Sequence, residues 1–135
     1  MKLVHLLIGG ALLASAGVAE ARTRLTPQQR LDKAIAGRVA GKPVTCINLR
    51  DIRSTDIIDD VGILYTTNGG TVYLNRPNGG ASFLDDDDIL VTRSFNSQLC
   101  NIDIVQLVDR AGRFPKGSIS LGELIPYAKP PKTAS

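Results

Sequence analysis

The side chains that could carry covalent or redox chemistry are few in this sequence: two cysteines, Cys46 and Cys100, and one histidine, His5. The cysteines do not have the C-x-x-C spacing of redox motifs, and no histidine lies near them in the sequence to activate a thiolate. In an exported chain both thiols would meet oxidising conditions, and two cysteines allow only one pairing. We therefore predict a structural Cys46–Cys100 disulfide, with a reactive thiol pair as the alternative.

Residues 1–21 have the features of a secretory signal peptide. Lys2 supplies a positive start, an apolar stretch follows from Leu3 to Val18, and Ala19-Glu20-Ala21 is an A-x-A cleavage site. The apolar stretch is shorter than the roughly 20 residues that cross a bilayer, which disfavours an uncleaved membrane anchor. We expect a periplasmic or secreted protein, cleaved after Ala21, with no transmembrane segment in the mature chain.

Loss of this leader would remove His5, the only imidazole. A Ser-His-Asp triad, a Cys-His dyad and a zinc site of the HExxH type would then be impossible, and catalysis would depend on carboxylates, lysine, tyrosine or serine. We predict a non-enzymatic protein with no catalytic residues, no cofactor and no metal centre.

Four consecutive aspartates, Asp85, Asp86, Asp87 and Asp88, form the most conspicuous local feature. Carboxylates attract hard cations such as Ca²⁺, but this run lacks the spaced D-x-[DN]-x-[DN]-G order of calcium loops. Neighbouring side chains on an extended segment also point to opposite faces. We favour a solvated acidic turn and keep weak cation binding by these four residues as the alternative.

A further acidic pair, Asp59-Asp60, is best interpreted as a turn between strands, in which aspartate oxygens accept backbone hydrogen bonds. A glycan hydrolase would need two carboxyls about 5 to 10 Å apart across a cleft. Convergence of any two of Asp59, Asp60, Asp88 and Asp103 in one pocket would favour that enzyme, whereas their separation would count against it.

Charge is distributed unevenly, although the formal net charge is only +3. Residues 22–53 carry a net charge of +6, residues 54–109 of −7, and residues 110–135 of +4. The simplest interpretation is an acidic middle that basic flanks partly neutralise. The alternative is a basic face for an anionic envelope component. Nucleic acid is a poor partner, because the chain has the features of an exported protein and lacks interleaved aromatic and basic residues.

Three arginines, Arg50, Arg53 and Arg76, are candidate anion ligands. Arg53 lies next to Ser54, Thr55 and Asp56, so an internal ion pair or a turn explains it as readily as a bound anion. We favour structural roles for all three and keep anion binding as the alternative.

The pattern along the chain predicts one α+β domain: a mainly antiparallel β domain, barrel- or sandwich-like, with one N-terminal amphipathic helix. Residues 22–42 contain the helix, predicted from Leu25 to Gly41, and Thr26 with Gln29 has capping-box spacing. Residues 43–127 form the β-rich part, and residues 128–135 are predicted to be a disordered tail. Strands are predicted at 44–49, 56–58, 61–67, 71–76, 89–94, 102–108 and 119–127, with Asn68-Gly69-Gly70 as a hairpin turn. The last strand is expected to be broken by Gly122 and Pro126.

An ordered set of short motifs spans about Val44 to Tyr127: Cys46-Ile47, Ile52-Arg53-Ser54-Thr55, Ile58-Asp59-Asp60, Asn75-Arg76, Gln98-Leu99-Cys100 with Asp103, and Leu121-Gly122-Glu123. This set resembles a family of small exported bacterial proteins known only as a domain of unknown function. Many members carry two more cysteines, near Gly80-Ala81 and near Ser120, and this chain lacks both. The resemblance implies export and a single fold, with one disulfide here where relatives have two, and it implies no activity.

Taken together, these patterns favour a non-enzymatic binding or structural protein of the cell envelope, whose partner is an unidentified envelope component. The alternatives are an Asp-dependent glycan hydrolase and a weak calcium-binding structural module.

Overall fold

The computed structural model describes residues 24–94 and 96–131. It has one α-helix and ten strands, and the predicted α+β class with a helix near the N-terminus is confirmed. The predicted signal peptide, His5 and the end of the predicted tail lie outside the described residues. In the described part of the chain, no helix has the length and apolar character that a membrane span requires.

The elements follow one another along the chain in this order: α1 (Pro27–Ile35), β1 (Val39–Ala40), β2 (Cys46–Asn48), β3 (Ile52–Ile58), β4 (Gly62–Thr67), β5 (Val72–Asn75), β6 (Ile89–Thr92), β7 (Gln98–Cys100), β8 (Ile104–Val108), β9 (Pro115–Ser120) and β10 (Leu124–Ala128). Short 3-10 turns cover Leu49–Asp51 and Ala81–Phe83. The strands form three antiparallel sheets that pack in a sandwich-like manner. Their strand orders are β1-β10-β5-β4-β3, β2-β7 and β6-β8-β9.

The helix begins with the predicted capping box. The Thr26 hydroxyl accepts the Gln29 N–H at 3.2 Å, and the Gln29 side chain accepts the Thr26 N–H at 2.9 Å. These two bonds satisfy main-chain donors that the first turn leaves without partners.

The helix ends at Ile35 and not at Gly41 as predicted. Gly37 adopts a left-handed backbone with φ of 73°, which turns the chain out of the helix. Val39 and Ala40 then pair with β10 as an edge strand. Helical spacing of apolar residues therefore continued past the true end, and strand pairing decided the boundary.

The β4–β5 hairpin forms as predicted. Gly70 has a φ of 88°, a conformation that glycine adopts without strain, and the Gly70 N–H donates to the Thr67 carbonyl at 3.0 Å. One face of this sheet is covered by the helix through a small apolar cluster of Leu31, Ile58, Leu64, Val72 and Leu74. The opposite face contributes to the larger core between the sheets, which includes Ile57, Ile63, Tyr65, Leu99, Val105, Leu107, Ile119 and Leu121.

The break that was predicted at Gly122 within 119–127 is present, whereas Pro126 lies inside a continuous strand. The chain leaves β9 at Ser120 and enters β10 at Leu124, and these two strands belong to different sheets. Gly122 lies between them against the main chain of Arg76, where a Cβ atom would be 2.3 Å from the Arg76 carbonyl oxygen. The chain can cross from one sheet to the other here because this residue has no side chain.

The predicted disulfide joins Cys46 in β2 to Cys100 in β7, with their Cα atoms 4.0 Å apart. The two residues are directly opposite each other in the antiparallel register of this two-stranded sheet. The bond therefore closes a small sheet whose two strands are 54 residues apart in the sequence.

Candidate functional site

The acidic run, Asp85–Asp88, forms a turn just before β6. The Asp88 N–H donates to the Asp85 carbonyl at 3.0 Å, and the Asp87 N–H donates to the Asp85 side chain at 3.0 Å. Every carboxylate of the run also lies within 4.0 Å of a basic side chain, and the partners are Arg30, Arg110 and Lys116. Basic residues from both flanks of the chain thus neutralise part of its acidic middle.

Arg30 connects the helix to this acidic region. Its guanidinium lies 3.4 Å from an Asp56 oxygen and 3.2 Å from an Asp86 oxygen, and it donates to the Ile57 carbonyl at 3.2 Å. Arg30 therefore turns towards the body of the domain, where it links the helix to β3 and to the acidic run.

Lys116, on β9, is shared by two members of the run. Its ammonium lies 3.0 Å from Asp88 Oδ1 and 3.6 Å from Asp85 Oδ2. The hydrogen bond with Asp88 raises the pKa of Lys116. The hydrogen bond from the Asp87 main chain, helped by Lys116, lowers the pKa of Asp85. This lysine therefore stays protonated between two carboxylates.

Three carboxylates converge on the helix side of the run. Asp59, Asp85 and Asp86 each offer an oxygen, and these oxygens all lie within 4.8 Å of one another. Burial raises the pKa of Asp59, and the charges of Asp86 and Asp85 act in the same direction. Asp59 Oδ1 accepts the Asp86 N–H at 2.7 Å, so this aspartate of the β3–β4 turn holds the acidic run in place.

A cleft of about 420 Å³ lies on the other side of the run, between β3, the edge strand of the five-stranded sheet, and β6, the edge strand of the three-stranded sheet. We call it the edge cleft. Its apolar walls include Leu49, Ile52, Ile57, Ile89, Leu90 and Leu99, and its polar lining consists of Thr55, Asp56, Tyr65, Asp86, Asp88, Thr92 and Arg110.

Two buried side chains of the edge cleft have polar atoms without a hydrogen-bond partner among the described residues: Asp88 Oδ2 and the Tyr65 hydroxyl. The Asp88 side chain is only 2% exposed, and Tyr65 is 4% exposed. Burial, with a contribution from the charge of Asp103, raises the pKa of Tyr65, so its hydroxyl stays protonated. Buried polar atoms are nearly always satisfied in folded proteins, so these two atoms, which are enclosed by the packing beside the cleft, are exceptions.

The remaining aspartates of the hydrolase hypothesis do not join this cleft. Asp60 is exposed at the β3–β4 turn with a φ of 60°. Asp103 accepts the Cys100 N–H at 2.8 Å and lines a shallow cavity of about 540 Å³ on the outer face of the three-stranded sheet. Asp59 and Asp88 line different cavities. These four carboxylates are therefore not brought together.

The strand register separates two of the three candidate anion ligands. Arg50 lies in the 3-10 turn before β3, Arg53 lies at an irregularity of β3, and Arg76 follows β5. The register places Arg53 and Arg76 at opposite ends of the five-stranded sheet. Anion binding by these arginines stays a prediction.

Sequence reasoning missed Tyr65, Thr55 and Arg110 as site residues. Tyr65 lies directly opposite Tyr73 in the β4–β5 pair. Tyr65 also lines the edge cleft because β6 and β7 pack over β4, and local sequence patterns do not predict this packing. Arg110 carried no sequence signal, because its partner Asp87 is 23 residues away in the sequence.

No protein-family model matches this chain, and neither does any curated protein or solved structure compared with it. The resemblance to an exported family of unknown function therefore stays a prediction. Its two further cysteine positions lie near residues that are neighbours here, because Gly79 and Ser120 form an isolated β-bridge.

Proposed function

We propose that this protein is a non-enzymatic binding protein of the cell envelope, periplasmic or secreted after cleavage following Ala21, and that its ligand occupies the edge cleft. The disulfide between Cys46 and Cys100 supports an oxidising location. The observation that carries the proposal is the edge cleft itself, a cavity of about 420 Å³ whose lining combines apolar side chains with the buried residues Asp88 and Tyr65.

The shape and lining of the cleft agree with a small ligand. A volume of about 420 Å³ lies within the range of small-molecule sites, which are mostly apolar with a few well-placed polar groups. Arg30 bridges Asp56 of β3 and Asp86 of the turn before β6, so ion pairs connect the two sides of the cleft.

The test is equilibrium dialysis of a native envelope extract against the protein. Small molecules that the protein retains are then identified by mass spectrometry. Thr55 lines the cleft, so Thr55→Trp fills it. Ser54→Trp is the matched control, because Ser54 is exposed and neighbouring side chains on a strand point to opposite faces. We expect retention by the wild type and by Ser54→Trp, and its loss in Thr55→Trp. Equal retention by all three proteins would contradict a ligand in the cleft.

The glycan-hydrolase alternative receives less support. The carboxyl with a raised pKa, Asp59, accepts a main-chain hydrogen bond from Asp86. Its oxygen lies within 4.8 Å of those of Asp85 and Asp86, closer than the roughly 5 to 5.5 Å of retaining glycosidases. Asp85 is itself paired with Lys116.

The calcium alternative would use Asp59, Asp85 and Asp86. Arg30 and Lys116 already neutralise two of these carboxylates, and a cation would have to displace them. We expect a calorimetric titration with Ca²⁺ to give no saturable heat at millimolar concentrations. Saturable heat that disappears in Asp86→Asn would favour the calcium-binding module instead.

A further inference from the structure

We propose that the edge cleft binds an extended polypeptide segment, which adds as a strand to the free edge of β6. This inference rests on the proposed function and adds the chemical class of the ligand and its mode of binding. It follows from the hydrogen-bond register of β6, from the features that protect the edge of β3, and from the lining of the cleft.

The register of the three-stranded sheet identifies the main-chain groups of β6 that have a strand partner. The Leu121 N–H donates to the Asp103 carbonyl at 3.1 Å, so Asp103 and every second residue after it on β8 face β9. The residues between them face β6. Gln106 is one of these, and it pairs with Val91. The N–H and C=O groups of Val91 are therefore used within the sheet.

The two neighbours of Val91 have the opposite orientation. The N–H and C=O groups of Leu90 and Thr92 point away from β8, off the free edge of the sheet. Among the described residues, these four groups make no main-chain hydrogen bond. Leu90 and Thr92 both line the edge cleft and are half-buried. The cleft therefore presents two donors and two acceptors in the spacing that an added strand satisfies.

The opposite edge, β3, carries features that discourage strand addition. Arg30 donates to the Ile57 carbonyl, the register shifts at Arg53, and the side chains of Arg53 and Asp56 are exposed charges. Bulges and charged side chains are common means by which proteins protect an edge from pairing. The strand β6 contains no charged residue and pairs with β8 without a register shift. We therefore assign the ligand to β6, with β3 as the opposite wall.

The recessed position of this edge favours an isolated segment over a second folded copy of the chain. All four residues of β6 are half-buried, and residues of β3 line the other side of a cleft of only about 420 Å³. A single extended chain lies about 4.8 Å from the strand that it pairs with. A folded copy would have to bring its own sheet into the same space.

The lining of the cleft determines the side chains of the segment. Side chains of a strand alternate between its two faces, so every second one would contact apolar residues such as Leu49, Ile52 and Leu99. The charged residues of the lining are three aspartates and one arginine, and Arg30 is shared by two of these aspartates. This field attracts positive charge. The segment therefore alternates apolar residues with basic ones.

The experiment is an NMR titration of the ¹⁵N-labelled protein with the peptide acetyl-Val-Lys-Val-Lys-Val-amide, in which hydrogen exchange of single amides is measured. The peptide gives the Leu90 and Thr92 N–H groups acceptors, so we expect their exchange to slow about tenfold at about ten times the dissociation constant. Exchange at Val91 should change less, because its N–H already pairs with β8. Binding that leaves exchange at Leu90 and Thr92 unchanged would overturn the proposal.

Two N-methylated forms of the peptide test strand pairing directly and leave the protein unaltered. One form is methylated on the valines and the other on the lysines, so each loses one alternating set of donors and keeps its side chains and charge. Addition to a single edge uses only one of these sets. We expect one form to bind as the parent peptide does and the other at least about tenfold more weakly. Equal affinities of the two forms would contradict strand addition.

A pair of protein variants separates the main-chain donor from its side chain. Thr92→Pro removes an N–H that points off the edge, where proline is tolerated. Thr92→Ala removes the same side chain and keeps this N–H. We expect Thr92→Pro to bind the parent peptide at least about tenfold more weakly than Thr92→Ala does. Equal affinities would count against the proposal. If Thr92→Pro fails to fold, the methylated peptides decide.

Sedimentation of the protein alone tests the rival occupant. A monomer supports the proposal, whereas a dimer that Thr92→Pro abolishes would assign the edge to a second copy and overturn it. If the envelope extract yields a cleft ligand that is not a peptide, and the probe peptide does not bind, this inference fails while the proposed function stands. If neither the extract nor the probe peptide provides a cleft ligand, the proposed function fails as well.

Discussion

The side chain of Asn75 is paired with both main-chain polar groups of Gly122. Asn75 Nδ2 donates to the Gly122 carbonyl at 2.7 Å, and the Gly122 N–H donates to Asn75 Oδ1 at 2.9 Å. Asn75 is fully buried at the end of β5, and Gly122 lies where the chain passes from the three-stranded to the five-stranded sheet. This pair therefore joins the two main sheets and gives a structural reason for two of the motifs noted in the sequence.

Asn75→Ala should destabilise the protein by about 2 to 3 kcal/mol, because it removes two buried hydrogen bonds and leaves both groups of Gly122 without partners. Urea unfolding at equilibrium measures the change. Asn78→Ala is the control, since the Asn78 side chain makes one hydrogen bond, to the Leu121 carbonyl at 3.1 Å, from an exposed position. A cost below about 1 kcal/mol for both variants would contradict the role of Asn75.

Lys116→Met should lower the free energy of unfolding more than Arg110→Met does, because it leaves the buried Asp88 carboxylate without its cation. Arg110→Met removes the partner of the exposed Asp87 and should cost less than about 1 kcal/mol. The two variants are compared by urea unfolding under the same conditions. Similar small costs for both would mean that Asp88 does not depend on Lys116.

Tyr65→Phe should stabilise the protein by about 1 kcal/mol, because the hydroxyl it removes is buried without a partner. Tyr73→Phe, at the half-buried partner across the strands, should change stability by less than about 0.5 kcal/mol. Thermal and urea unfolding give the comparison. A loss of stability in Tyr65→Phe would show that the hydroxyl is satisfied in solution, for example by an ordered water.

Asp59 should make the protein less stable as the pH rises. Burial raises the pKa of Asp59 in the folded state, so the folded chain binds a proton that the unfolded chain has already lost. The free energy of unfolding therefore falls as the pH rises from the pKa of Asp59 in the unfolded chain to its pKa in the folded chain. Above both pKa values the whole decrease in this free energy is present. Asp59→Asn removes the charge but keeps an oxygen that can accept the Asp86 N–H.

We therefore expect Asp59→Asn to unfold at a higher urea concentration than the wild type at about pH 7. The difference should disappear at a pH well below the pKa of Asp59 in the unfolded chain. Asp51→Asn, at an exposed position of a 3-10 turn, controls for the change in net charge. A variant that is less stable than the wild type at neutral pH would contradict this assignment.

Reduction of the Cys46–Cys100 bond should lower the midpoint of urea unfolding with little change in its slope. Closing a loop of this length contributes about 4 kcal/mol on the chain-entropy estimate, less any strain. The measurement compares oxidised protein with reduced and alkylated protein, and intact mass verifies both states. Equal midpoints would mean that the β2–β7 sheet holds without the bond.

Local sequence signals predicted the elements that depend on neighbours in the chain. Thr26 and Gln29 form their capping box, the turn at Asn68–Gly70 joins β4 to β5, and Ile104–Val108 forms the central strand of its sheet, as its apolar pattern indicated. Composition and the count of two cysteines were enough to predict the disulfide. Each of these depends on backbone preference, side-chain periodicity or the absence of another partner.

Other features depend on contacts between distant segments, and local patterns could not report them. Val39 pairs with β10 as an edge strand, and the two strands within 119–127 belong to different sheets. The sequence favoured a solvated turn for the acidic run. Two of its basic partners are distant in the sequence: Arg30 lies 56 residues before Asp86, and Lys116 lies 28 residues after Asp88.

The sequence by itself determined the class of fold, the covalent link and the scarcity of catalytic side chains, since composition and short-range spacing are sufficient for these. Only the tertiary structure decided that Tyr65 and Asp88 line one cleft, because β4 and the turn before β6 meet there through the packing of separate sheets. A buried polar atom becomes conspicuous only when every neighbour is in place and none of them bonds to it. For that reason the candidate site could be found in the folded molecule and not in the order of its residues.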